Sequence, residues 1–172
     1  MAGLSYASLK VAEKAVKALK AKDTIRFYRA TGPYGFLSNL YKRRIVFEGK
    51  EFTCSETAYQ FGKPKDRAVA EWLISAPKPH LCAVAAHALL AFDIRPDWND
   101  MKMDRMKAVL EAKFTQHEDL KNALLNTGDA ILIEDSKTDS FWGTGSKGVG
   151  QNKLGQLLMD LRHELWKGYS NG

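Results

Sequence analysis

The sequence predicts a mostly helical α+β domain with a small antiparallel sheet. Three observations carry that expectation. The chain has 172 residues, 45% hydrophobic and 27% charged, which fits one globular domain with one sizeable core. Several long stretches place apolar residues at helical spacing, separated by clusters of Gly, Pro, Asn and Asp. Two short runs, 44–47 and 50–53, read as strands joined through Glu48-Gly49, a hairpin signal.

Taken in order, residues 4–22 read as an amphipathic helix. Leu9, Ala12, Val16 and Leu19 follow helical spacing, and Lys10, Lys14, Lys17 and Lys20 share the other side. That lysine face reads as a solvated surface or as a contact for nucleic acid. The chain therefore divides into an N-terminal helix over 1–23 and a domain over 24–168. A short strand over 24–29 opens the domain, and residues 31–39 form a loop dense in turn formers. After the hairpin, Thr53 and Glu56 have capping-box spacing, so a helix starts near Cys54 or Ser55. Pro64 disfavours helical geometry in the residue before it, which stops that helix by Lys63. Helices follow over 66–75 and 79–92, the second alanine-rich and expected to be a buried packing helix. Asp97-Trp98-Asn99-Asp100 supplies caps for a long helix to about residue 116, with Met103, Met106, Leu110 and Phe114 as its apolar stripe. Residues 131–134 read as a strand, and a Gly-rich loop over 143–150 leads into a last helix over 153–166. The chain has no internal repeat, linker or low-complexity tract.

Composition and motifs exclude several function classes. No apolar run approaches the roughly 18–20 residues of a membrane span, and the N-terminus lacks the apolar core of a secretory signal. Two cysteines, Cys54 and Cys82, are too few for a disulfide framework, so a reducing compartment, the cytoplasm, is expected. The net charge of +6, from 26 basic and 20 acidic residues, suits phosphorylated or nucleotide-like ligands or a nucleic acid. It is equally what surplus surface lysine produces on a soluble protein. His80, His87, His117 and His163 show no zinc spacing, and no serine lies in a nucleophile elbow. The string Gly143-x-Gly145-x-x-Gly148 matches a dinucleotide fingerprint, but Lys137-Thr138-Asp139-Ser140 precedes it where a buried strand should stand. It remains a Gly-rich loop feeding a helix N-terminus near Asn152, either a phosphate site or a plain flexible loop.

The helix after Thr53 is more informative. Glu56, Tyr59, Gln60 and Lys63 fall at i, i+3, i+4 and i+7, on one face. Against a pocket they form a reactive wall, and against water a solvated stripe. Asp139 and Trp142, beside glycines, frame either a stacking site or a loop anchor.

These segments together resemble the NADAR (YbiA-like) family, in the family's order. Gly35-Phe36-Leu37-Ser38-Asn39 with Tyr41 is the first motif, and Ser55-Glu56-x-x-Tyr59-Gln60-x-x-Lys63 the second. Trp98, Met106 and Lys113-Phe114-x-Gln116 follow, then Leu125-x-Thr127-Gly128 with Glu134. The last is Asp139-x-x-Trp142-Gly143-x-Gly145, continuing through Gly150-x-Asn152-x-Leu154-Gly155 to Arg162. The likeness spans about residues 25–166. The chain departs from the family pattern at Thr57, Ala58 and Phe61, beside the second motif.

The resemblance implies a YbiA-like fold and an N-glycosidase acting on the C1′–N bond of a ribosylated or ADP-ribosylated base. Two substrate classes follow from it: phosphoribosylamino-pyrimidine intermediates of riboflavin biosynthesis, and ADP-ribosyl-guanine in DNA. The partner is then a nucleotide-like small molecule, with ADP-ribosylated DNA as the other candidate and no membrane. Glu56 and Asp139 supply the carboxylates that face a developing oxocarbenium ion, and Lys63 is the amine nucleophile. Trp98 and Trp142 stack on the base or flank the ribose, while Ser38, Asn39 and Asn152 bond sugar hydroxyls or phosphate. Phe36, Tyr59 and Gly143 complete the expected substrate contacts. This chemistry requires no cofactor and no metal. The rival readings are a non-catalytic ADP-ribose or nucleotide-binding module, and a nucleic-acid-binding protein working through its lysine face.

Overall fold

One long helix organises the molecule by separating two hydrophobic clusters. This is α4, Trp98–Gln116. Its Met106, Leu110 and Phe114 enter the main core with Phe27, Leu37, Leu132, Leu154 and Leu158. Val109, on its other side, packs with Ile45, Phe52, Ala58, Phe61 and Ala70. The expected stripe is thus buried from Met106 onward, with Met103 half-buried. The computed structural model describes residues 23–170, and the helix expected over 4–22 lies outside the described residues.

Around α4 the chain runs β1 (Thr24–Phe27), β2 (Ile45–Phe47), β3 (Lys50–Phe52), α1 (Ser55–Phe61), α2 (Arg67–Ile74) and α3 (Pro79–His87). After it come α5 (Glu118–Leu125), β4 (Ile131–Glu134) and α6 (Lys153–Ser170). The hairpin is antiparallel as expected, pairing Ile45 with Phe52 and Phe47 with Lys50. Glu48 (φ 51°) and Gly49 (φ 73°) are both left-handed, the backbone a two-residue hairpin turn needs to follow the strand twist. A second pair, β1 with β4, is parallel, from Thr24 opposite Ile131 to Phe27 opposite Glu134. Parallel strands need a crossover, and here helices α1 to α5 lie within it. Among the described residues no strand pairs with the far side of β4. There the Asn152 amide donates to Leu132 O (2.9 Å) and accepts from Glu134 N (2.9 Å). Thr144 N donates to Glu134 O (3.0 Å), and Leu132 N meets Met159 Sδ at 3.5 Å.

Four local expectations need correction. The cap of α1 uses Cys54 and Thr57, one residue later than Thr53 and Glu56: the Thr57 hydroxyl accepts from Cys54 N (3.3 Å). Glu56 is thereby left for other contacts. The helix expected over 79–92 ends at His87, because the chain beyond it pairs with the segment around Pro64. Lys65 N donates to Asp93 O (2.9 Å) and Arg95 N to Lys63 O (3.0 Å). That helix is not buried all round either, since Val84 is 62% exposed and Pro79, Cys82 and Ala86 face inward. Asp97 precedes α4, but its carboxylate pairs with Arg95 (2.6 Å) instead of capping the helix. Helix α5 has no counterpart in the sequence reading; Leu120 and Leu124 anchor it in the main core.

Candidate active site

A cavity of about 360 Å³ opens between α1, α4 and the loop that follows β4. Glu56, Tyr59, Gln60 and Lys63 all line it, so the face of α1 meets a pocket and not water. The Arg105 guanidinium fixes the end of this helix. It donates to Ala58 O (2.7 Å) and Tyr59 O (3.2 Å), carbonyls of the last turn, and pairs with Glu48 (2.9 Å).

Burial raises the Glu56 carboxyl above the usual carboxylate range, and Asp139 adds to the rise. A hydrogen bond from Gln60 Nε2 (2.8 Å) and the Lys63 charge pull the other way. Burial lowers the Lys63 amine below its ordinary range, with Glu56 opposing. That amine donates to Ala86 O (2.6 Å), a carbonyl near the end of α3.

Ser38 and Asn39 reach the cavity from the turn after Gly35–Leu37. Glu56 N donates to Asn39 O (3.0 Å), tying that turn to the start of α1. Beneath it Lys113, 1% exposed, donates to Phe36 O (2.5 Å) and Ser38 O (3.0 Å). Burial brings the Lys113 amine down to about 7. Asn39 Nδ2 contacts Met106 Sδ (3.2 Å), while Asn39 Oδ1 and Gln60 Oε1 are buried acceptors with no partner among the described residues.

The opposite wall comes from the loop after β4. Asp139 Oδ1 accepts from Phe141 N (2.8 Å) and Trp142 N (2.7 Å), so it both anchors the loop and lines the cavity. Trp142 stands nearly perpendicular to Tyr59, ring centroids 5.6 Å apart, and Tyr59 lies 5.0 Å from Trp98. Burial pushes the Tyr59 phenol up, which keeps it a neutral donor. Lys102 sits 4.2 Å over the Phe141 ring at the same cavity.

The cavity thus gathers Glu56, Lys63, Asp139, Ser38, Asn39, Tyr59, Trp98 and Trp142. Phe36, Gly143 and Asn152 do not line it. Phe36 packs against the main core, and the Asn152 amide is taken up by β4. Gly143 is a packing position: a Cβ there would stand 2.9 Å from Glu134 O. Conversely, Glu134 lines the cavity but entered the sequence reading only as part of a motif. It is 7% exposed, and burial, followed by Asp139 and Glu56, pushes its carboxyl up to about 8. The available signal was a carboxylate closing the apolar run Ile131-Leu132-Ile133. Tyr28, His87, Ser136 and Thr138 also line the cavity and had no such signal.

Residues 26–166 match the NADAR domain family. N-glycosidase Npun_R5314 of Nostoc punctiforme is 36% identical over 145 residues, covering 83% of this chain and 92% of that protein. The riboflavin biosynthesis protein VVA0006 of Vibrio vulnificus is 36% identical over 144 residues, which are 39% of its length and 84% of this chain. N-glycosidase YbiA of Escherichia coli is 36% identical over 145 residues. The NMR structure of YbiA superposes with a TM-score of 0.80 at 34% identity, covering 88% of this chain and 90% of that one. The fold is therefore the YbiA-like α+β domain, and the chain belongs to the NADAR domain family.

Proposed function

We propose that this cavity hydrolyses the C1′–N bond of a ribosylated or ADP-ribosylated base. The chain is a hydrolase of N-glycosyl compounds, the class its relatives carry in their names. One observation carries the finer reading: α1 and the turn just after it bring a carboxyl and a depressed amine, Glu56 and Lys63, to one cavity with Asp139 and aromatic walls. Breaking a C1′–N bond builds positive charge on the ribose, and Glu56 and Asp139 are the groups to face it. Lys63, short of protons for a lysine, attacks C1′ and holds the ring-opened ribose as an imine until water releases it. Trp142 and Tyr59 present flat apolar surface to the base. Candidate substrates are phosphoribosylamino-pyrimidines, in line with the printed name of VVA0006, and ADP-ribosyl-guanine in DNA. Cys54 and Cys82, both free and buried, suit the cytoplasm as its setting, and no helix among the described residues is long and apolar enough to cross a membrane.

The test is release of free base by purified protein from each substrate class, beside Glu56→Gln. Turnover of one class by the native chain, abolished in a folded Glu56→Gln, is the expected result. Binding of ADP-ribose without base release from either class would make the chain a binding module.

A further inference from the structure

Glu134 is fixed by its main chain and left free at its carboxyl. Both backbone groups are held, the N–H by Asn152 (2.9 Å) and the C=O by Thr144 (3.0 Å). Its carboxyl lines the cavity and makes no hydrogen bond or ion pair among the described residues. A buried carboxylate is ordinarily paired, because desolvation penalises the bare charge. No described residue around Glu134 compensates it. Asp139 faces it from the loop and Glu56 from α1, both acidic. Asp135, its neighbour in sequence, spends its carboxylate on Lys137 (2.8 Å) and Arg26 (3.1 Å). The nearby amines are engaged elsewhere: Lys63 with Ala86 O, Lys102 with Asn99 (3.1 Å).

Three carboxyl groups sharing one cavity cannot all ionise cheaply, and their surroundings assign the proton. Burial and Asp139 raise the Glu56 carboxyl as well, but it accepts from Gln60 and feels the Lys63 charge, both of which favour its anion. Asp139 accepts two backbone N–H bonds. Glu134 has neither kind of support.

We propose that Glu134 is the general acid of this site, delivering its carboxyl proton to the leaving nitrogen as the C1′–N bond breaks. Resting on the N-glycosidase reading above, this assigns the one role that reading leaves empty. An amino-linked base leaves poorly as an anion, so a positioned proton donor contributes to the rate. The electron pair of the C1′–N bond goes to nitrogen, which takes the proton from Glu134. The carboxylate left behind recovers a proton from the water whose oxygen ends on C1′. The sum is riboside plus water giving ribose and free base. Burial pushes the Glu134 carboxyl up to about 8, so the donor holds its proton, uncharged, at neutral pH.

The experiment compares native protein with Glu134→Gln and Glu134→Asp, on whichever riboside class the native chain hydrolyses, across pH 5–10. Glu134→Gln should lose about 10²- to 10⁴-fold in kcat, with KM changed little and melting temperature not lowered. The loss should shrink as the leaving amine becomes more acidic. The fall in native kcat above about pH 8 should vanish in the variant. A ¹³C-carboxyl titration of Glu134 in the native protein, which needs no turnover, should find the proton retained at pH 7. Retention of more than a tenth of kcat in Glu134→Gln, or a carboxyl already ionised at pH 7, overturns the assignment. Should Glu134→Gln not fold, Glu134→Asp serves, and an alkaline limb identical to the native one overturns it. A native chain that releases no base from any riboside sinks the N-glycosidase reading instead, a distinguishable failure.

Discussion

Lys63, half-buried, and Lys113, fully buried, are two amines with different fates. Neither has a carboxylate in hydrogen-bonding contact, and burial depresses both. Lys113 is the more deeply buried, yet its charge is satisfied: two carbonyls accept from it, and the Phe114 and Tyr41 rings lie 5.0 and 5.7 Å away. It clamps the turn that carries Ser38 and Asn39. Lys63 has one accepting carbonyl and a cavity beside it. A depressed pKa alone therefore does not separate the lysine proposed to react from the one that clamps the fold. The mark is a hydrogen-bonding capacity left unused where a ligand can reach it.

Substituting each lysine in turn is the strongest way to break this contrast. Lys63→Ala should lower turnover by more than about 10³-fold, as removal of a nucleophile does, without changing the melting temperature. Borohydride added during turnover should trap a ribose adduct on Lys63, read by peptide mass spectrometry. Near-normal turnover with no adduct would hand the attack to water. Lys113→Ala should act on the fold, costing about 3 kcal/mol in denaturant unfolding, because it leaves a cavity and two bare carbonyls. If instead Lys113→Ala keeps full stability, the clamp is a packing accident. Smaller is the effect of Trp142→Ala, which should weaken ligand binding by about 1–3 kcal/mol if the ring stacks on a base. Unchanged affinity with a lower melting temperature would make Trp142 a core residue. A further test is a pH effect. From about pH 7 to 10.5 the unfolded chain holds a proton on Lys113 that the folded chain lacks, so stability should rise with pH across that window. Lys113→Met should flatten that part of the rise, measured as denaturation midpoints at the two ends.

Local pattern was enough for α1 and for the residues it brings to the cavity. The spacing of Glu56, Tyr59, Gln60 and Lys63 and the stop at Pro64 are written within one short stretch. What escaped was set by distant segments. Residues 88–92 contain no helix breaker, and α3 ends at His87 because the chain must return to pair with Lys63 and Lys65. Glu134 reaches the cavity through the β1–β4 pairing, across more than a hundred residues of intervening chain, which no local period encodes. Asn152 shows the opposite failure. A helix N-terminus after glycines suggested a ligand contact, but a left-handed backbone (φ 51°) turns its amide onto β4.

That amide has a consequence for how the molecules behave toward one another. A strand with one partner offers a row of bare N–H and C=O groups along its other side, a template for strand addition by a second chain. In β4 that side is closed: Asn152 supplies the donor and acceptor that a neighbouring strand would, and Thr144 N and Met159 Sδ complete the row. One side chain thus stands in for a third strand and removes this route to self-association. Asn152→Ala would reopen it, and slow aggregation at high protein concentration, seeded at β4, is the outcome to look for by light scattering.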